Sequence, residues 1–207
     1  MEVATFYQFI RGAPISLLLL LTICISSIYG FYHNRYFLKL ILHPLGISKH
    51  KEYYRLFTSD LIHNDFGHLL VNAYMYCIVC INLEHSLNLR SSYGSALFVL
   101  IYGISYLTGV VVITLRHKND VSYSSAGASG SIMGCMMSFM ILEPDKIALY
   151  LPVYGGVKNS FMALLFIIGL IVYQYRSRNQ LMNNELHFFC ALGGIVVTIV
   201  LFPELIL

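Results

Sequence analysis

Residues 127–142 read GASGSIMGCMMSFMIL. A polar loop ends at these glycines and an apolar helix begins at Ser129. The first backbone amides of a helix have no partner inside it. A serine flanked by glycines at such a point can act as a nucleophile with donors beside it. Taken alone, Ser129 reads as a small N-cap at a glycine-rich contact, so its surroundings decide.

Those surroundings are membrane protein. Hydrophobic residues make up 57% of the 207 and charged residues 11%, with mean hydropathy +0.70. A soluble domain carries about a quarter charged residues. This chain cannot cover a water-facing surface and reads as an all-α polytopic membrane protein. A net charge of +3 is too small to argue nucleic-acid binding.

Six apolar segments follow one another, at 14–31, 66–83, 93–115, 128–142, 160–173 and 186–202, and together they read as one membrane domain over 1–207. Some fall short of the ~20 residues that a lipid-exposed span needs. A short run suggests a helix starting below the surface, beside a water-filled cavity, and the run at 128 starts at the serine. The first segment is too long for a signal-peptide core and is expected to stay, with no domain before it. Residues 32–54 mix Phe37, Leu38, Leu40, Ile41, Leu42 and Leu45 with Arg35, Lys39, His43, Lys49 and Lys51. That pattern suggests a segment lying in the interface. Cys24, Cys77, Cys80, Cys135 and Cys190 all fall in apolar segments and read as packing residues rather than a disulfide framework.

Polar residues are costly inside a membrane and therefore informative. His63, His68 and Asn72 stand at the start of the second segment, with His68 and Asn72 on one helix face. Glu84 stands near its other end, Ser129 begins the fourth segment and His187 the sixth. Segments two, four and six enter the bilayer from the same side, so their first turns share one depth. Topology alone brings these groups to one level.

The chemistry fits that convergence. A serine hydroxyl is a weak nucleophile until a base takes its proton, and His187 can be that base if the fourth and sixth helices pack closely. Gly127, Gly130 and Gly134 on one helix, and Cys190 and Gly194 on the face of His187, are the small residues that allow it. His68, Asn72 and the Ser129 amide can donate to an oxyanion, each such donor being worth ~3–4 kcal/mol. Glu185 points elsewhere on its helix, so a Ser–His dyad is expected rather than a triad. His63, His68 and His187 lack the H-E-x-x-H pattern or a carboxylate partner that a metal site would want. No metal or cofactor is expected.

From Tyr53 to Gly194 the chain resembles the rhomboid intramembrane serine proteases of the minimal six-helix, bacterial kind. Arg55-x-x-Thr58, His63-x-x-x-x-His68-x-x-x-Asn72, Leu83-Glu84, Gly127-x-Ser129-Gly130-x-x-x-Gly134 and His187 carry the likeness, each weak alone and strong in this order. The resemblance implies a six-transmembrane-helix bundle around a short fourth helix, with Ser129 as nucleophile and His187 as general base. It implies His68, Asn72 and the Ser129 amide at the oxyanion, and structural roles for Arg55 and Glu84. Transmembrane protein substrates and a bacterial plasma membrane follow from the same likeness. Two departures stand out. Cys190 takes the first glycine position of the closing pattern His-x-x-Gly-x-x-x-Gly, and Met133 stands where many members have an aromatic. A second register, aligning Ala191-Leu192-Gly193-Gly194, would put alanine at the base and make the chain an inactive rhomboid-like protein that binds membrane clients. His187 is preferred because it keeps both small residues in place. The family orientation would leave Arg11, Arg90, Lys146 and Lys158 inside and the other nine of thirteen Lys and Arg residues outside, against the positive-inside rule.

Overall fold

The computed structural model describes residues 12–152, 155–176 and 184–205; Arg11 lies outside them. The protein is an all-α polytopic bundle. Helix α1 (Pro14–Tyr32) is followed by short helices α2 (Asn34–Leu40), α3 (Pro44–His50) and α4 (Arg55–Thr58) and a 3-10 turn at Ser59–Leu61. Then come α5 (Phe66–Arg90), α6 (Gly94–Arg116), α7 (Ser129–Leu142), a hairpin of β1 (Ile147–Leu151) and β2 (Gly155–Lys158), α8 (Asn159–Arg176) and α9 (Asn184–Leu201). Helices α1, α5, α6 and α9 are long and apolar enough to cross a membrane. Helix α7, with 14 residues, is about 21 Å long, short of the ~30 Å hydrocarbon core.

The short helix stands at the centre. Nine of its residues are buried, among them Gly130, Ser131, Gly134, Cys135 and Ser138, and it packs against α5, α6 and α9. Close backbone approach drives this. A Cβ on Gly194 would lie 2.2 Å from the Gly134 carbonyl oxygen, and one on Gly134 would lie 2.2 Å from Ser105 Cβ. Large apolar side chains such as Leu18, Leu70, Tyr74, Leu164 and Val200 point outward, as lipid-facing positions should. All five cysteines are free.

Helix α5 runs on to Arg90, beyond the apolar run at 66–83. Its later polar residues have partners within the protein. Glu84, fully buried, accepts from the amides of Ile15 (3.1 Å) and Ser16 (2.6 Å) and from Ser95 Oγ (2.6 Å). It takes the place of an N-cap for α1, whose Pro14 at the first position lacks an amide to satisfy. Asn88 donates to Gly12 O, and Arg90 donates to Leu142 O and pairs with Glu143. Replacing Glu84 with alanine takes the acceptor from the buried Ser16 amide and from the half-buried Ile15 amide and Ser95 hydroxyl. We expect it to lower stability by about 3 kcal/mol, seen as a depressed unfolding midpoint in detergent. A midpoint unchanged from native would contradict this role.

The segment at 32–54 contains the helices α2 and α3, with Tyr32, Leu38 and Tyr53 exposed. It is strapped to the bundle by Arg55, which is buried and donates from Nη1 to the carbonyls of Leu38 (2.8 Å) and Ile41 (2.9 Å) and from Nε to Glu52 (2.7 Å). The guanidinium holds the Glu52 carboxyl below its usual range. Leu42 then pairs its backbone with Ser125, tying the segment to the loop that precedes α7. The β1–β2 hairpin has no counterpart in the sequence reading. Ile147-Ala-Leu-Tyr-Leu151 is a short β-prone run, and Gly155, at φ +82°, opens the returning strand.

Candidate active site

Ser129 is the first residue of α7, and its amide has no intrahelical partner. Ser129 Oγ lies 2.7 Å from His187 Nε2, on the first turn of α9. The side chains of Cys190 and Leu186 fill the space beside Gly109 and Gly130, where any Cβ would collide with the Cys190 sulfur. Small residues at those points let α6, α7 and α9 converge. Among the described residues Ser129 is the hydrogen-bond partner of the His187 ring. Glu185 is turned away and pairs with Arg116, with His117 3.6 Å off.

Ser129 and His187 line one side of a cavity of about 650 Å³. His68 and Asn72, on α5, line the same cavity, and Met75, Met133, Met136 and Phe166 supply apolar lining. Asn72 Nδ2 donates to the His68 carbonyl of its own helix (2.9 Å), which leaves its second amide proton available. Arg55 and Glu84 are outside this cavity, in the strap and at the α1 start.

The loop before Ser129 is held from several sides. Gly127 has φ +122°, and a Cβ there would meet the His68 ring at 2.8 Å, so both backbone and space require glycine. Its amide donates to Ser59 O (2.9 Å). The Ala128 amide donates to His63 Nε2 (3.3 Å), and His63 Nδ1 lies 2.9 Å from Ser27 Oγ on α1. An accepting Nε2 puts the proton on Nδ1, which then donates to Ser27. Burial, and His68 beside it, push the His63 pKa down to about 3, so this neutral form persists across the physiological range. His63 positions the loop from behind the cavity.

Sequence reasoning passed over Asp60, Ser59 and Ser131. Asp60 is 3% exposed and bonded to Tyr102 and to Ser131 Oγ (2.6 Å). Ser131 is the third residue of α7. A carboxylate three residues before His63, between Leu56-Phe57 and Leu61-Ile62, was the available signal.

A polytopic helix bundle that places a serine and a histidine in contact at the start of a short central helix defines a narrow class of membrane protein. Residues 50–204 match the rhomboid domain model, and the chain belongs to the rhomboid family. It is 28% identical over 156 residues to "Putative rhomboid protease YdcA" of Bacillus subtilis, covering 74% of this chain and 69% of that one. It is 30% identical over 118 residues to "Rhomboid protease GluP" of the same organism, covering 57% and 21%. It is 26% identical over 124 residues to "RHOMBOID-like protein 1" of Arabidopsis thaliana, covering 60% and 28%. The chain thus spans less than a third of the length of the latter two.

Proposed function

We propose that this protein is an intramembrane serine endopeptidase, cutting transmembrane segments of other membrane proteins with a Ser129–His187 dyad. The observation that carries the reading is the 2.7 Å contact between Ser129 Oγ and His187 Nε2 at the wall of a cavity within the bundle. Family membership and relatives named as rhomboid proteases support it. On this reading 1–207 acts as a single membrane domain. The Bacillus relatives favour the bacterial plasma membrane as its place.

His187 must be neutral with Nε2 unprotonated to accept the Ser129 proton. Ser129 Oγ then attacks the scissile carbonyl, and the oxyanion forms beside the Ser129 amide, His68 and Asn72. Collapse expels the amine, which takes the proton from His187, and water resolves the acyl-enzyme by the reverse sequence. No cofactor enters these steps. A helical peptide bond is shielded by its own hydrogen bonds, so the substrate segment must unwind before it reaches Ser129. Helix-breaking residues lower that cost.

The test is co-reconstitution of the purified protein with a fluorescently tagged transmembrane substrate in liposomes. Cleavage within the apolar segment is the expected result. A substrate that binds yet stays intact would replace this reading with that of an inactive relative holding membrane clients.

A further inference from the structure

The hydroxyl of Ser131 has one proton and two acceptors within reach. Its oxygen lies 2.6 Å from Asp60 Oδ1 and 2.8 Å from the Ala128 carbonyl oxygen. It cannot donate to both. The conflict disappears if Asp60 carries a proton. Asp60 then donates to Ser131 Oγ, Ser131 donates to Ala128 O, and Tyr102 donates to the other oxygen of Asp60. Each of the three side chains in this relay then has a partner.

The surroundings favour that neutral acid. Asp60 borders a small apolar cavity of about 200 Å³ between α1 and α6. Among the described residues, the ionisable groups that feel its charge are Tyr76 and Cys80 on α5, Tyr102 and Tyr106 on α6 and Cys190 on α9. None of these can become a cation. A carboxylate without a positive partner in such a place loses its hydration with no compensation, and burial pushes Asp60 up to about 6.

The far end of the chain gives it a use. Ala128 C=O and Ser129 N–H belong to one planar peptide. The Ala128 carbonyl already accepts the Ile132 amide of α7 (3.0 Å). The Ser131 bond is a second hold on it, and whatever tilts the carbonyl tilts the amide the opposite way. We propose that Asp60, in its protonated form, is a positioning residue: through Ser131 it aims the Ala128–Ser129 peptide so that the Ser129 amide faces the oxyanion. This rests on the protease reading above, but the state of Asp60 can be tested apart from it. When Asp60 ionises it draws the Ser131 proton to itself, and the Ala128 carbonyl loses that bond.

Asparagine reproduces the neutral acid, with an amide donor for Ser131 and a carbonyl acceptor for Tyr102. The experiment compares native protein with Asp60→Ala, Asp60→Asn and Ser131→Ala in liposomes at pH 5, where Asp60 holds its proton, using one transmembrane substrate. Asp60→Ala and Ser131→Ala should lower kcat by about tenfold with KM unchanged, less than the ~10²–10³ that outright loss of an oxyanion donor costs. Asp60→Asn should rescue the loss. Ser131→Ala, which removes a single oxygen, keeps the test alive if Asp60→Ala fails to fold. An asparagine variant as slow as the alanine one, or a native kcat in Ser131→Ala, overturns the proposal.

A second readout needs no activity. Folded Asp60, at about 6, holds its proton more tightly than an unfolded aspartate at about 4. Its contribution to stability is therefore fully present in acid and is lost as pH rises through that window. The unfolding midpoint of the native protein should fall relative to Asp60→Asn between pH 4 and about 6 and stay level above it. A difference that is flat, or that rises with pH, means the ionised form is the folded one and overturns the proposal. If the native protein cleaves nothing, the protease reading fails, while this comparison still decides the state of Asp60.

Discussion

Ser129→Ala is expected to abolish cleavage while leaving the bundle folded. Removing the serine or the histidine from such a machinery costs on the order of 10⁶ in kcat in a soluble serine protease, and the same order is expected here for Ser129→Ala and for His187→Ala. The two losses should not add, because each leaves the other residue without a function. The double variant should be no slower than either single one. Stability should change by less than about 1 kcal/mol in Ser129→Ala, since the lost hydroxyl borders an open cavity and its partner there is His187. Rates of substrate cleavage in liposomes, with unfolding midpoints on the same preparations, separate chemistry from folding. Residual activity well above background in Ser129→Ala would remove the serine from the nucleophile's role.

Gly194→Val is expected to be the most damaging substitution away from the polar residues. Its Cβ would sit 2.2 Å from the Gly134 carbonyl oxygen and 2.8 Å from Gly134 Cα. These are backbone atoms and cannot rotate aside. Helix α7 has little room to shift, because Gly134 also abuts Ser105 of α6. Overpacking of this kind costs about 3 kcal/mol, the upper end of what core insertions show. In the fraction that folds, α9 must stand off from α7, carrying His187 with it. A displacement of about 1 Å at a reacting pair costs on the order of 10² in rate. Gly103→Ala is the control. That glycine has nothing within 4 Å of its would-be Cβ, and alanine is the better helix former by about 1 kcal/mol. Equal behaviour of the two variants in melting and in rate would show that the α7–α9 approach is not what holds the pair.

Much of this architecture was legible in the sequence because membranes make polar residues conspicuous. Ser129, His187, His68 and Asn72 stand out at the first turns of alternate helices, and parity places those turns at one depth. Glycine, serine and cysteine at spacings of three and four mark the faces where helices approach. The short apolar run after Ser129 already indicated a helix too brief to span alone.

What was not legible depends on pairings between distant residues, which leave no periodicity. Glu84 reads as one acid near a helix end; that it caps a helix 68 residues earlier appears only once α1 and α5 are side by side. The same pairings let α5 continue to Arg90 past its apolar run. Asp60 was hidden for a related reason. Its partners, Tyr102 and Ser131, come from two other helices, and Ser131 resembles any small residue in a glycine-rich turn. The short helices within 32–54 depend on Arg55 taking up the carbonyls of Leu38 and Ile41, acceptors that no pattern of side chains reveals. Membrane orientation rests on charge bias, and Arg116 paired with Glu185, like the buried Arg55, shows that several of the cations counted for it are engaged within the protein.

The most direct test of the central claim is reaction of the detergent-purified protein with a serine-reactive fluorophosphonate, with the adduct located by peptide mass spectrometry. A hydroxyl reacts this way only when a base activates it. The account predicts one adduct, on Ser129, that is lost in His187→Ala although Ser129 is still present. A folded native protein that takes up no label on Ser129, or one that labels equally well without His187, would contradict it.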